Sequence, residues 1–285
     1  MKFLVLGCNG MAGHVISLYL HEKGHDVTGF ARRKSNLVKS IVGDATDFAL
    51  LEETLRKKDY DVVINCVGLL NQFAENNHAD AVLINGYLPH FLAMVTEKMD
   101  TQVIHMSTDC VFSGKTGNYT EDSLQDGTLF YDRSKAIGEL NDNKNITLRN
   151  SIVGPDMKKE GIGLLNWFMK QNGAVNGFRQ AIWTGQTTLQ LAKTMEEAAK
   201  QRATGLFNMV SSSSINKYEL LGLFNKHIRK NAIEIIPQDT FVADKSLVRT
   251  RFDGFDYQIP DYEIMVKELG EWMRAHKELY PHYEL

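Results

Sequence analysis

Lys2-Phe3-Leu4-Val5-Leu6-Gly7-Cys8-Asn9-Gly10-Met11-Ala12-Gly13 is the stretch whose reading decides the fold. Lys2 to Leu6 is an apolar run of strand length, and the apolar positions after Gly10 (Met11, Ala12, Val15, Ile16, Leu18, Leu20) suit a buried helix. Between them the glycines are spaced G-x-x-G-x-x-G. Gly7 permits a tight turn, and Gly10 lets backbone approach a pyrophosphate at the helix N-terminus, with Asn9 and Met11 beside it. Gly13 allows the helix to pack closely on the strand. A glycine-rich turn alone is a weak signal, but strand, turn and helix in this order point to a nucleotide.

Outward from that stretch, strand-like and helical runs alternate. Asp26 to Phe30, Val38 to Val42, Asp61 to Asn65, Gln102 to Ser107 and Ile146 to Arg149 read as further strands, with a long helical pattern from about Asp80 to Lys98. This alternation implies an α/β Rossmann fold, a doubly wound parallel sheet covered on both faces. After about Pro155 the rhythm loosens. Leu164 to Lys170, Thr188 to Gln201, Lys217 to Arg229 and Asp261 to His276 read as helices and Gly205 to Val210 as a strand. The expected division is a nucleotide-binding domain over 1–155 and a smaller C-terminal α/β substrate-binding lobe over 156–285.

Composition narrows the function. The chain has 285 residues, 43% of them hydrophobic, enough for a sizeable core, and 32 basic against 35 acidic residues, so no charge excess favours a nucleic acid partner. Its apolar runs are strand-sized, which argues against a membrane span, and the N-terminus lacks signal-peptide architecture. Three cysteines without metal-type pairing (Cys8, Cys66, Cys110) fit a reducing compartment. The expectation is a soluble, cytoplasmic protein. None of the nine histidines, among them His14, His21, His25, His78 and His90, shows metal-ligand spacing, and all read as structural or solvent-facing.

In open α/β sheets ligands sit beyond the carboxyl ends of the strands. After the second strand stand Arg32, Arg33, Lys34 and Ser35, cations and a hydroxyl where an acidic residue would select NAD. This favours NADP, with NADPH preferred and NADH as the alternative. After the third come Asp44 and Ala45, placed to meet an adenine. After the fourth come Cys66, Val67 and Gly68, small enough for a cofactor to lie against backbone. The fifth strand ends in Ser107-Thr108-Asp109-Cys110, and downstream Tyr131 and Lys135 share one face of an expected helix. A lysine ammonium beside the phenol would lower the tyrosine pKa towards neutrality, and Tyr131 would exchange a proton with a carbonyl or alcohol oxygen that Thr108 also holds.

The glycine motif at Gly7, Gly10 and Gly13, the STDxVFxG stretch from Ser107 to Gly114, and YxxSK from Tyr131 to Lys135 resemble the dTDP-4-dehydrorhamnose reductase family of extended short-chain dehydrogenases/reductases. The resemblance runs the full length and is strongest to about residue 155. It implies NAD(P)H-dependent reduction of a nucleotide-activated 4-keto sugar, with Thr108, Tyr131 and Lys135 catalytic and with monomers or homodimers as precedent. Two positions depart from the family pattern. Cys110 and Ile152 replace the aromatic residues that usually follow the STD triplet and the triplet Arg149-Asn150-Ser151, so the identity of the sugar is open there together with Asp109. Arg179 and Trp183 are candidates for binding pyrophosphate and stacking on base or sugar; Asn71 and Phe73 are candidates for the sugar pocket. Two other readings compete with the reductase. One is a dehydratase or epimerase of the same superfamily, although the acid–base pair of dehydratases is here Asp109-Cys110. The other is a non-catalytic nucleotide-binding regulatory subunit.

Overall fold

The computed structural model describes residues 1–285. In chain order its first half comprises β1 (Lys2–Leu6), α1 (Met11–Glu22), β2 (Asp26–Ala31), β3 (Lys39–Val42), α2 (Phe48–Lys57), β4 (Val62–Asn65), α3 (Asn71–Asn76), α4 (His78–Ala81), α5 (Leu88–Thr96), β5 (Gln102–Ser107), α6 (Phe130–Ile137) and β6 (Ile146–Arg149). The second half adds β7 (Ser151–Val153), α7 (Leu164–Met169), β8 (Ala174–Phe178), β9 (Ala181–Trp183), β10 (Gly185–Thr187), α8 (Thr188–Gln201) and β11 (Gly205–Asn208). It ends with β12 (Ile215–Asn216), α9 (Lys217–His227), β13 (Glu234–Gln238), β14 (Ala243–Asp244) and α10 (Tyr262–Ala275).

Seven strands form one parallel sheet in the order β11-β6-β5-β4-β1-β2-β3. β1 shows why both faces are covered. Phe3 and Val5 enter the larger apolar cluster with α1 and α8, while Leu4 and Leu6 enter the smaller one with Leu51 and Leu55 of α2 and Leu88, Phe91 and Leu92 of α5. The order reverses at β1, flanked by β2 and β4, and the loops after these strands open a crevice there.

The seventh strand comes from beyond residue 155. α8, capped by the Thr187 hydroxyl on the Gln190 amide (3.1 Å), leads into β11, which pairs with β6. A cut at 155 therefore removes one strand and one covering helix from the sheet. The remaining C-terminal strands form small sheets, β10 with β7, β13 with β8, and β12-β9-β14; α9 covers the last two, and α10 packs on α8, α9 and β10. Helix α2 and the short strands of this lobe escape a reading of periodicity, because two- to five-residue strands carry too few alternations.

The helix expected from Asp80 to Lys98 is a run of three segments, α4, a π-helical stretch over Val82–Tyr87, and α5. Pro89 explains the break: its ring excludes the carbonyl four residues back, that of Asn85. The side chain of Asn85 ties the widened turn to the Leu69 amide (2.8 Å) and carbonyl (2.9 Å) and to the Ser134 hydroxyl (3.0 Å). No helix is long and apolar enough to cross a membrane.

Candidate active site

The crevice at the sheet's reversal point has a volume of about 780 Å³. Gly7, Asn9, Gly10, Arg32, Arg33, Asp44, Ala45, Cys66, Val67 and Gly68 all line it. Gly7 adopts φ +77°, a region costly for residues with a Cβ, and its carbonyl accepts from the Gly10 amide (2.8 Å). A Cβ at Gly13 would collide with the Gly7 carbonyl, so helix and turn touch through backbone as expected. Gly10 is the N-cap of α1 and offers no side-chain acceptor, which leaves the first-turn amides free for an anion. Asn9 Nδ2 donates to the Arg33 carbonyl (2.8 Å) and so ties the basic loop to the glycine turn. Thr46 donates to Asp44 through its amide (3.0 Å) and hydroxyl (2.8 Å); these bonds, and Arg32 nearby, hold that carboxyl below its usual range.

One expected cofactor residue lies elsewhere. Ser35 is buried and spent on its own turn, accepting from the Leu37 amide (3.2 Å) while its amide donates to Ser40 (2.9 Å). The Met11 side chain faces Gly163, while its backbone opens the first turn of α1. Thr46, Leu69, Asp80, Ile84 and Lys158 also line the cleft and went unnoticed in the sequence, since none stands in a motif.

A second cavity of about 450 Å³ is lined by Asp109, Cys110, Ser151, Trp167, Phe178, Trp183, Lys217, Phe241 and Lys245 among others. Asp109, Cys110 and Trp183 are thus where the sequence expects them. Ile152 is not on this wall; it packs against the main apolar cluster while its neighbour Ser151 faces the cavity. Arg179 is also displaced, because it forms an exposed ion pair with Asp239 across the β8–β13 edge. Asn71 and Phe73 are outside the lining too, and Phe73 is exposed.

The two lysines are what sequence reading missed. Lys217, the first residue of α9, lies 5.1 Å from the Trp183 ring centroid, and burial lowers its pKa to about 8 although Asp109 opposes this. Asp109 is pushed up by burial and drawn back by Lys245 and Lys217. Lysines 100 residues from the STD motif carry no local signal; only the tertiary fold assembles them.

Tyr131 stands between the two spaces. It clusters with Ala74 and Ala81, against which pack Leu69 of the first cleft and Cys110 of the second. Its amide donates to Glu75 Oε1 (3.0 Å), and the Asp132 carboxylate accepts the Leu129 amide (3.1 Å) to start α6. The expectation for its ionisation is overturned. Burial raises the phenol's pKa, with Cys110 adding to the rise and the nearby Thr108 hydroxyl opposing it. Lys135 does not reach the phenol to counter this. One turn on, its ammonium nitrogen points into the sheet, donating to the Met106 carbonyl (2.8 Å) and lying 3.5 Å from His105 Nε2. Burial lowers the Lys135 pKa to about 8, against the pull of Glu139. Shared helix face sets neighbourhood, not side-chain direction. Thr108 Oγ1 donates to Asp109 Oδ1 (3.1 Å) and accepts the Cys110 amide (3.1 Å), starting a single 3₁₀ turn over Asp109–Val111.

Beneath this, Arg149 forms a bidentate pair with Glu139 (2.9 and 2.6 Å), and the Ser107 hydroxyl donates to the same carboxylate (2.6 Å). The pair is buried and anchors the end of α6 to β5 and β6. Removing either partner would strand a charge at a cost of about 3–5 kcal/mol.

Comparisons with known proteins place the chain in a family. The chain is 29% identical over 230 residues to a probable low-salt glycan biosynthesis reductase from Haloferax volcanii, covering 75% of this chain and 76% of the relative. It is 27% identical over 217 residues to a dTDP-4-dehydrorhamnose reductase from Burkholderia thailandensis, covering 73% and 70%. A crystal structure of dTDP-4-dehydrorhamnose reductase from Bacillus anthracis in complex with NADP superposes with a TM-score of 0.78 at 19% identity, covering 94% of this chain and 98% of that one, a likeness of fold. Residues 1–252 match the RmlD substrate binding domain, and the chain is a member of the RmlD substrate binding domain family.

Proposed function

We propose that the protein is an NADPH-dependent reductase of a nucleotide-activated 4-keto-6-deoxysugar, in deoxysugar and cell-surface polysaccharide biosynthesis. The observation that carries this reading is Tyr131, a buried phenol kept protonated by its surroundings, between a backbone-built cleft and a cavity with two lysines and four large aromatic rings. The residues present fit a dinucleotide. Gly7, Gly10 and the first turn of α1 would hold its pyrophosphate, Arg32 and Arg33 a 2′-phosphate, and Asp44 and Ala45 the adenine. When bound, NADPH supplies a hydride.

The chain's own residues do the rest. Tyr131 gives its proton to the carbonyl oxygen as that oxygen becomes a hydroxyl, and the Thr108 hydroxyl positions the same oxygen. Lys217 and Lys245 offset the charge of a sugar-linked diphosphate, and Trp183, Phe178 and Phe241 supply apolar faces for base or sugar. An elimination needs a second carboxylate beside Asp109, and Cys110 occupies that position. The names of the Haloferax and Burkholderia relatives support a sugar-nucleotide reductase, and the cofactor of the Bacillus anthracis structure supports NADP.

The test is NADPH oxidation by purified protein with a panel of dTDP- and UDP-linked 4-keto-6-deoxyhexoses. The expected result is turnover with at least one member, abolished in Tyr131→Phe. Tight NADPH binding without turnover on any member would favour the regulatory-subunit reading instead.

A further inference from the structure

The C-terminal segment fastens two parts of the first cleft. At the glycine turn, the Tyr280 hydroxyl lies 2.8 Å from His14 Nε2, and His14 Nδ1 lies 2.9 Å from the Gly10 carbonyl. A carbonyl only accepts, so Nδ1 donates to it. Burial keeps the imidazole neutral, and Nε2 therefore accepts from the tyrosine. Further along, the Tyr283 hydroxyl accepts the Asp156 amide (3.0 Å) and donates to Asn166 Oδ1 (2.7 Å). Asp156 and Asn166 enclose the loop that joins β7 to α7. Asn166 Nδ2 donates to the Lys159 carbonyl (3.2 Å) and to that of Gly161, and Asp156 Oδ1 accepts the Lys158 amide (2.8 Å). The loop ends against α1, where a Cβ at Gly163 would come within 2.9 Å of Met11 Sδ. Lys158 of this loop lines the same cleft as Gly7, Asn9 and Gly10. It is exposed and, unlike Arg179, enters no ion pair.

We propose that Lys158 is a cofactor-binding residue whose ammonium meets the dinucleotide's diphosphate, and that Tyr283 is the residue that positions it. This role rests on the reading of the first cleft as a dinucleotide site. Arg32 and Arg33 follow β2, at the adenosine end of that cleft. Lys158 comes instead from a loop seated on the first residue of α1, where the helix amides face the diphosphate. An ammonium adds a full charge to what those amides supply only as dipoles. Tyr283 is buried and outside the cleft lining, so it acts through the loop that its hydroxyl holds at both ends.

The experiment is titration calorimetry on the full chain with NADPH, NADH and ADP-ribose. All three carry the diphosphate, and ADP-ribose lacks both the nicotinamide and the 2′-phosphate. Lys158→Met should raise all three Kd values by about tenfold, and Lys158→Arg should stay within about threefold of wild type. Tyr283→Phe should raise the NADPH Kd by about threefold on its own and not at all beside Lys158→Met. The exposed Lys158 carries the test alone if Tyr283→Phe does not fold. An unchanged ADP-ribose Kd in Lys158→Met would overturn the assignment. So would a loss confined to NADPH, which would move the lysine to the 2′-phosphate. Losses that multiply in the double variant would reduce Tyr283 to a structural contact. A wild type that binds none of the three refutes the dinucleotide reading itself, whereas undiminished binding by Lys158→Met refutes only the lysine's role.

Discussion

The two cavities are built from different materials. The first is backbone: a left-handed glycine, a carbonyl touching a helix, free amides, and loops following four neighbouring strands. The second is side chain: lysines, aromatics and a raised carboxyl brought from the turn after β5, from β8, β9, α7 and α9, and from the segment around β14. Backbone geometry tolerates few substitutions and recurs wherever the same cofactor is bound. Side-chain walls change one residue at a time, and that is where a reductase acquires its sugar. Tyr131 is in the lining of neither; it belongs to the small cluster against which Leu69 of one and Cys110 of the other pack, and the differences between the cavities can be tested by substitutions that act on one and spare the other.

Tyr131→Phe should have the largest effect. Turnover should fall by about 10²–10⁴-fold while NADPH affinity holds, because only the proton donor is lost; a stopped-flow hydride transfer rate near wild type would break the assignment. Next comes Lys217→Met. Removing a half-buried cation placed to meet a diphosphate should raise KM by about thirtyfold or more and leave the NADPH Kd unchanged. Its stability effect has a calculable sign. In the folded state the pKa is about 8 against 10.5 for the ordinary side chain, so the unfolded chain binds the extra proton between those values. Stability therefore rises with pH across that window, and Lys217→Met should be more stable than wild type at neutral pH by up to about 3 kcal/mol and lose that pH dependence. Chemical denaturation at several pH values reads both.

Arg33→Ala acts on the first cleft. It should weaken NADPH by about tenfold to a hundredfold and NADH hardly at all, measured by titration calorimetry, since a charge-assisted phosphate contact is worth about 1.5–3 kcal/mol. Equal losses for both cofactors would remove the arginine from the 2′-phosphate. The smallest effect is expected at Arg179. Its exposed pair with Asp239 lies outside both cavities, so Arg179→Ala should leave KM and the NADPH Kd within twofold of wild type. A larger change would show that β8 and β13 reorganise around the substrate.

The same division explains what could be read from sequence. The strands β1, β5 and β6, the glycine turn and the helix carrying Tyr131 and Lys135 are local patterns, so their positions follow from spacing. Cys66 and Arg32 follow in turn, because the sheet order places the ends of their strands at one crevice. Lys217 and Lys245 do not, because nothing near them in sequence marks a site. Arg179 misled for the same reason: a cation in a glycine- and aromatic-rich segment looks like a ligand until Asp239 is found opposite. His105 reads as structural with the other histidines, and it is fully buried in the sheet. Its partners lie on β4 and α6, and only the folded sheet makes it the neighbour of Lys135.

The late arrival of β11 has a consequence for how the protein is made. Until residue 208 has left the ribosome, β6 is an open sheet edge with four residues that the fold buries, two of them apolar, and no partner on one side. Such edges recruit other strands. The nascent chain must carry this exposed ribbon through the synthesis of some sixty residues, from β6 to the end of β11, before α8 can settle on α1 and Arg202 can close the seam on the carbonyls of Asp61 and Asp100. The cofactor domain is thus discontinuous in time as well as in sequence. A fragment ending at residue 155 would carry every motif that identifies the fold and would be expected to aggregate at that ribbon.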